Sequence, residues 1–283
     1  MKCFPILALF ISLSCTGSDG FIPEASGGAK VGSTLVMAGD EEPAAMWIGS
    51  DITAMTKTKV TGAKWDDMEG LATLNDRMFF AMTSHSLTKK GKRKPEREQL
   101  FLFSLIGNKI QTQKVWSLRD SILSYLAKNL SREIDEREVA SGTPDTGGLN
   151  VEGLAYLDGK LYLGLRSPLT KDNKAIILIL NNAESAPVVS GHALIDLSGN
   201  GIRSLETEDK KLILISGSRD DSGTSFGLHY YTPGENAASI HSVRGFSDLI
   251  RPESVIRENT KSLIFLQDFE HSESQDVLVR LNY

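Results

Sequence analysis

Apolar positions in this chain come in short runs, and polar turn residues separate them at close intervals. Val, Ile, Leu, Phe and Tyr fill the runs, while Gly, Asp, Asn and Pro fill the gaps. Short runs bounded by turn residues predict β-strands. A larger pattern recurs above that alternation. A charged residue, a small residue and an apolar residue lead into a polar turn and a second apolar run. It reads Met68-Glu69-Gly70-Leu71-Ala72 before Met78-Phe79-Phe80-Ala81-Met82, and Val151-Glu152-Gly153-Leu154-Ala155 before Leu161-Tyr162-Leu163-Gly164-Leu165. Looser copies are Ile202-Arg203-Ser204-Leu205 before Leu212-Ile213-Leu214-Ile215, and Pro252-Glu253-Ser254-Val255-Ile256 before Leu263-Ile264-Phe265-Leu266. One intervening turn is Leu157-Asp158-Gly159-Lys160, and Asp-Gly suits a two-residue hairpin loop that needs positive φ.

Each hairpin leads into further strand-like runs, at 100–105 and 111–116, at 175–180 and 188–195, and at 227–231 and 239–243. Four short strands per unit of about 50 residues mark a β-propeller blade. Glu152, Arg203 and Glu253 follow that spacing, and the longer step from Glu69 to Glu152 holds two insertions. An earlier blade is expected from Ile22-Pro23-Glu24-Ala25-Ser26, which echoes Arg251-Pro252-Glu253-Ser254 and precedes Thr34-Leu35-Val36-Met37-Ala38. The prediction is an all-β propeller of about five blades, with six as the alternative, forming one domain over 23–283. Its last blade stops after a third strand at 277–283, and the N-terminal segment is expected to supply the missing one.

The first insertion, 117–138, reads as helical. Ser117 is the expected N-cap, with Asp120 three residues on. Leu118, Ile122, Leu126 and Leu130 then recur at helical spacing, a stripe suited to packing on the propeller flank. The second insertion, 89–97, carries Lys89, Lys90, Lys92, Arg93, Lys94 and Arg97. It reads as a solvated loop or as an attractor of anionic ligands or lipid headgroups. It lacks the interleaved aromatics of a single-strand nucleic-acid platform.

The chain has 283 residues and a formal net charge of −5, which disfavours nucleic acid as a partner. Lys2 precedes an apolar stretch at 4–13, too short to span a bilayer, and Ser12-Leu13-Ser14-Cys15 follows. This segment resembles a bacterial lipoprotein signal, with Ser12 where that signal usually carries Leu. The expectation is a signal peptide over 1–14, a lipid on Cys15, a tether over 15–22, and an exported protein held at the outer membrane or in the periplasm. Cys3 and Cys15 are the chain's cysteines, so the mature domain is stabilised without disulfides. A monomer is expected.

Blade geometry converts the repeat into a site. The first strand of each blade lines the channel and the second returns, so the start of one and the end of the other meet at one mouth. That mouth gathers Glu24, Glu69, Glu152, Arg203 and Glu253 from first strands. From second strands it gathers Asp40, Glu41, His85, Arg166, Arg219, Asp220 and Asp268. So many charges must pair, hold a cation or face water. In one reading they form inter-blade salt bridges, a purely structural ring in a protein-interaction scaffold. In another, Glu69, Glu152 and Glu253 hold Ca²⁺, a cation that prefers oxygen ligands. In a third, Glu69, Glu152, Arg166, Arg203 and Glu253 bind a small or anionic ligand, and His85 is the candidate catalytic acid or base. A metal-activated water would combine the last two into a Ca²⁺-dependent hydrolase of esters or phosphoesters. No phosphate loop, His-Glu-x-x-His or dinucleotide fingerprint occurs.

Gly148-Leu149-Asn150-Val151-Glu152-Gly153-Leu154-Ala155, together with Gly164-Leu165-Arg166-Ser167-Pro168, resembles the bacterial domain-of-unknown-function family 3616. Thr83-Ser84-His85-Ser86, Gly201-Ile202-Arg203-Ser204 and Gly39-Asp40-Glu41 share that likeness, which covers roughly residues 30–270. The resemblance implies an exported propeller-like domain and supplies no activity. More distantly, the Glu-Gly-Leu-Ala element is similar to one in phytase-like and esterase-like propellers, and six-bladed lactonases bind Ca²⁺ through channel carboxylates. That analogy concerns the fold and assigns no function.

Overall fold

Runs such as Phe79-Phe80-Ala81-Met82 and Leu161-Tyr162-Leu163 are apolar at consecutive positions, and a strand of that kind must be covered on both faces. The computed structural model describes residues 25–39, 42–219, 225–235, 237–267 and 278–283, and it shows how that covering is achieved. Blade one comprises β1 (Ala25–Val31), β2 (Thr34–Gly39), β3 (Ala45–Gly49) and β4 (Thr56–Thr61). Blade two comprises β5 (Met68–Asn75), β6 (Met78–Thr83), β7 (Gln99–Ile106) and β8 (Lys109–Ser117). Blade three comprises β9 (Asn150–Leu157), β10 (Lys160–Ser167), β11 (Ala175–Asn181) and β12 (Val188–Ile195). Blade four comprises β13 (Gly201–Glu208), β14 (Lys211–Gly217), β15 (Gly227–Tyr231) and β16 (Ser239–Ile240). Blade five comprises β17 (Pro252–Asn259), β18 (Ser262–Gln267) and β19 (Leu278–Asn282). All pairing within blades is antiparallel. β4 and β8 also pair in parallel at Val60 and Ile110, which joins the outer edges of blades one and two.

The first strands pack side by side in a closed order, β1 to β5 to β9 to β13 to β17 and back to β1. The ring therefore has five blades, and the six-bladed alternative falls because β17 already meets β1. Five apolar clusters lie at the five junctions. Trp65, Phe79, Phe101 and Phe103 fill the first, between blades one and two. Trp47, Met37, Ile256 and Leu266 fill the last, between blades five and one. The closing junction adds polar ties. Lys30 Nζ donates to the carbonyl of Glu258 at 2.6 Å, and Arg280 Nη2 reaches Glu258 at 2.6 Å and Asp51 at 2.7 Å.

The small residue of the repeat has a packing cause. A Cβ on Gly70 would lie 2.7 Å from Cβ of Leu154, and one on Gly153 would lie 2.8 Å from Cγ of Leu205. The glycine of one blade thus receives the leucine of the next. Blade four has Ser204 there, and its hydroxyl accepts the Val255 N–H at 3.2 Å. The Asp158-Gly159 turn has φ of 50° and 80°, as its sequence predicts.

The helical insertion forms α1 (Arg119–Asn129) and α2 (Glu136–Ser141). Leu118, Ile122, Leu126 and Leu130 are all buried against the junction of blades two and three. Ser117 is not the cap expected of it. It ends β8, paired with Gln99, and Leu118 takes the cap position with no side-chain bond. The second helix is capped instead, with Asp135 accepting the N–H groups of Arg137 at 3.0 Å and Glu138 at 3.1 Å. In blade one the residue equivalent to the charged marker is Ser26, not Glu24. The signal peptide, Cys15, the tether and the strand expected from the N-terminal segment lie outside the described residues, as do Glu24, Asp40, Glu41, Asp220 and Asp268.

Candidate functional site

Every blade carries the same defect at the start of its first hairpin. The pairing register slips by one residue, and the extra residues are Ser26, Glu69, Glu152, Arg203 and Glu253. A β-bulge leaves one residue out of the ladder and re-aims its side chain. The repeat is therefore a string of bulges at one end of the ring of inner strands, and the polar residue of each copy is the bulged one. The repeat marks the position along the sequence but not the bulge. The small residue directly after the marker was its visible signal.

Three of these bulges join into one network. Glu152 Oε1 accepts from Arg166 Nη1 at 2.9 Å and from Asn150 Nδ2 at 3.0 Å. Its Oε2 lies 4.0 Å from Arg203 Nη1, which in turn donates to Glu253 Oε1. Arg166 Nε donates to the Ser218 carbonyl at 3.3 Å, and the Arg203 guanidinium lies 5.5 Å from the Phe226 ring centroid. Charge alternates along Arg166, Glu152, Arg203 and Glu253, and the chain of contacts crosses blades three, four and five. Glu152 is 4% exposed, Arg166 9% and Arg203 3%.

Burial and pairing set the electrostatics. Burial pushes the Glu253 carboxyl above its ordinary range, with Arg203 pulling the other way and Glu152 adding to the rise. Burial also acts against the Arg203 cation, but Glu253 and Glu152 outweigh it and hold the guanidinium pKa above its usual value. Two acceptors are left over. Glu152 Oε2 and Asn150 Oδ1 are buried and accept no hydrogen bond. Asn150 was not anticipated from sequence. Its position two residues before Glu152 on one strand was the available cue.

The expected Ca²⁺ cage of Glu69, Glu152 and Glu253 is not formed. Glu152 and Glu253 turn oxygens toward arginines, and among the described residues no group of three or more His, Cys, Asp and Glu side chains gathers as a metal site. Glu69 occupies the equivalent bulge of blade two.

His85 stands apart from this network. It lies just past β6 in a left-handed conformation, φ 58°, with no exposed surface. Its Nδ1 donates to the Thr83 carbonyl at 2.6 Å, its N–H donates to the Arg97 carbonyl at 2.7 Å, and its carbonyl accepts from Arg119 Nη1. Arg119 also donates to the Ala140 carbonyl at 3.1 Å, so the helical insertion clamps this loop. Burial lowers the imidazole pKa to about 4, leaving the ring neutral near pH 7. The ring expected at the open mouth is thus enclosed beneath the helical insertion. Of the other histidines, His192 lies on β12, His229 on β15 and His241 just past β16, while His271 lies outside the described residues, and His192 bonds Tyr125 of α1 at 3.0 Å.

Among solved structures, the chain is similar to a putative oxidoreductase (glucose dehydrogenase) from Thermus thermophilus. The identity is 13% and the TM-score 0.52, over 96% of this chain and 99% of that one. It is also similar to a GH43 β-1,3-galactosidase solved with galactodeoxynojirimycin, at 11% identity and a TM-score of 0.53, over 93% of each chain. These likenesses establish the propeller-type fold alone. No curated protein matches the sequence. Residues 138–239 do match a family model, that of the protein of unknown function DUF3616, the family that the motifs around Glu152, Arg166 and Arg203 resemble.

Proposed function

We propose that this is an exported propeller, tethered through a lipid on Cys15, whose channel mouth binds a small anionic molecule bearing hydroxyl groups. One observation carries the reading: Glu152 Oε2 and Asn150 Oδ1 are buried acceptors without a donor, on two side chains bonded to each other, with Arg166 on Glu152 Oε1 and Arg203 Nη1 4.0 Å from Glu152 Oε2. An unmet buried acceptor costs about 1–3 kcal/mol. Hydroxyls of a ligand supply the missing donors, and a carboxylate or phosphate on the same molecule suits Arg166 and Arg203. Sugar acids and sugar phosphates combine both features. A Ca²⁺-dependent hydrolase draws no support from this arrangement, because two of the three carboxylates that would hold the metal, Glu152 and Glu253, turn to arginines.

The test is a thermal-shift series with glucuronate, glucose 6-phosphate and neutral glucose. A ligand at 100 times its Kd stabilises by about 2.7 kcal/mol, several degrees in Tm. The anionic sugars should raise Tm, neutral glucose should do so far less, and Asn150→Ala should remove the effect while the apo protein stays folded. Absence of a shift with every anionic sugar defeats the ligand reading. It would favour the second one, in which the alternating chain from Arg166 to Glu253 is an inter-blade tie and nothing more. The anchor is tested separately by fatty-acid labelling, and equal labelling of wild type and Cys15→Ala would refute it.

A further inference from the structure

The connection from β6 to β7 carries six cations, and its contacts divide them into two sets. Arg93 is held by Glu98 and, at 2.8 Å, by Asp120. Lys94 pairs with Asp66, and Arg97 reaches both Asp66 and Asp67 at 2.9 Å. These pairs fix the base of the loop to the blade. Lys89, Lys90 and Lys92 are exposed and have no acidic partner among the described residues. They sit on a closed turn. The Thr88 N–H donates to the Lys92 carbonyl at 2.9 Å, the Gly91 N–H to the Thr88 carbonyl at 2.7 Å, and the Lys92 N–H to Thr88 Oγ1 at 3.1 Å. Gly91 has φ of 69°, which the turn needs and glycine permits.

Three ammonium groups are therefore presented together on a pinned knuckle, in a chain whose formal net charge is −5. The knuckle leaves the ring at the end where β1 begins. Ser26 Oγ donates to the Met68 carbonyl, Met68 pairs with Thr83, and the Ser84 N–H donates to the Asp67 carbonyl at 3.0 Å. β1 thus begins at the face that carries Lys89, Lys90 and Lys92. Residues 88–97 contain no aromatic residue on which a nucleic-acid base could stack. Compact, hydrated ammonium groups suit a surface of phosphate headgroups.

We infer that Lys89, Lys90 and Lys92 form a docking surface for an anionic lipid bilayer. The inference is independent of the ligand proposed for the Glu152 network. The ring is closed by contacts from Ala25 onward, so a lipid-free chain starting at Thr16 retains every described element. Its co-sedimentation with mixed phosphatidylglycerol–phosphatidylcholine vesicles is compared with that on phosphatidylcholine alone. Wild type should bind the mixed vesicles selectively and release them as salt rises. Each lysine near an anionic surface contributes roughly five-fold in partitioning, so the triple variant Lys89→Gln, Lys90→Gln, Lys92→Gln should lose about 100-fold. The corresponding triple arginine variant should retain binding. Equal binding of wild type and the glutamine variant, or equal binding to neutral and anionic vesicles, overturns the inference. So does retention of single-stranded oligonucleotide without vesicle binding.

Discussion

Replacing Arg203 with Met tests the buried network at its centre. The substitution keeps much of the apolar stem and removes the guanidinium that donates to Glu253 and lies 4.0 Å from Glu152. Breaking a buried pair from one side leaves an uncompensated charge and costs about 3–5 kcal/mol. For a domain of this size that is a fall in Tm of roughly 6–20 °C. The loss should depend on pH in a defined sense. Burial already raises the folded-state pKa of Glu253 above the ordinary 4.5, and Arg203 opposes the rise. Without Arg203 the folded pKa climbs further. A carboxyl with a raised folded pKa favours the fold below its unfolded pKa and loses that contribution as pH rises through the folded value. The variant should therefore be most impaired at pH 8 and recover toward wild type as the buffer approaches pH 4.5. Urea denaturation at several pH values reads this directly. Arg203→Met combined with Glu253→Gln should recover much of the loss, because the stranded charge is gone. A loss below about 1 kcal/mol at pH 8, or one unchanged by pH, would refute the placement of Arg203 as the central counter-charge.

Two further outcomes follow from the ring and its clamp. Gly70→Ala should destabilise by about 1–3 kcal/mol, since its Cβ meets the Leu154 Cβ at 2.7 Å across a blade junction, and a chemical-denaturation midpoint checks it. His85, with a folded pKa lowered from 6.5 to about 4, contributes stability present above pH 6.5 and lost as pH falls toward 4. The loss is about 3 kcal/mol in all. His85→Gln should flatten that slope, and an unchanged slope would show that other groups set it.

The architecture is legible in the pattern of the chain alone. Consecutive apolar positions in short runs require strands covered on both faces, and a repeat near 50 residues supplies identical neighbours to cover them. The same repeat located Glu152, Arg166, Arg203 and Glu253, which do meet, because equivalent positions on neighbouring blades are neighbours in space. The helical stripe from Leu118 to Leu130 was legible for a similar reason, since helical periodicity is a local property. The assembled fold sets what locality cannot encode. Ring closure fixed five blades, because only the meeting of β17 with β1 stops the count. The bulges re-aimed the marker residues, and Glu152 and Glu253 went to arginines rather than to one another, a choice made by distances across blades. His85 ended a mouth-side strand in sequence but came to lie under a helical insertion, held by Arg119 from 34 residues away. Six cations formed one basic run in sequence, and only acids brought near in the fold separated the three that are neutralised from the three without an acidic partner among the described residues.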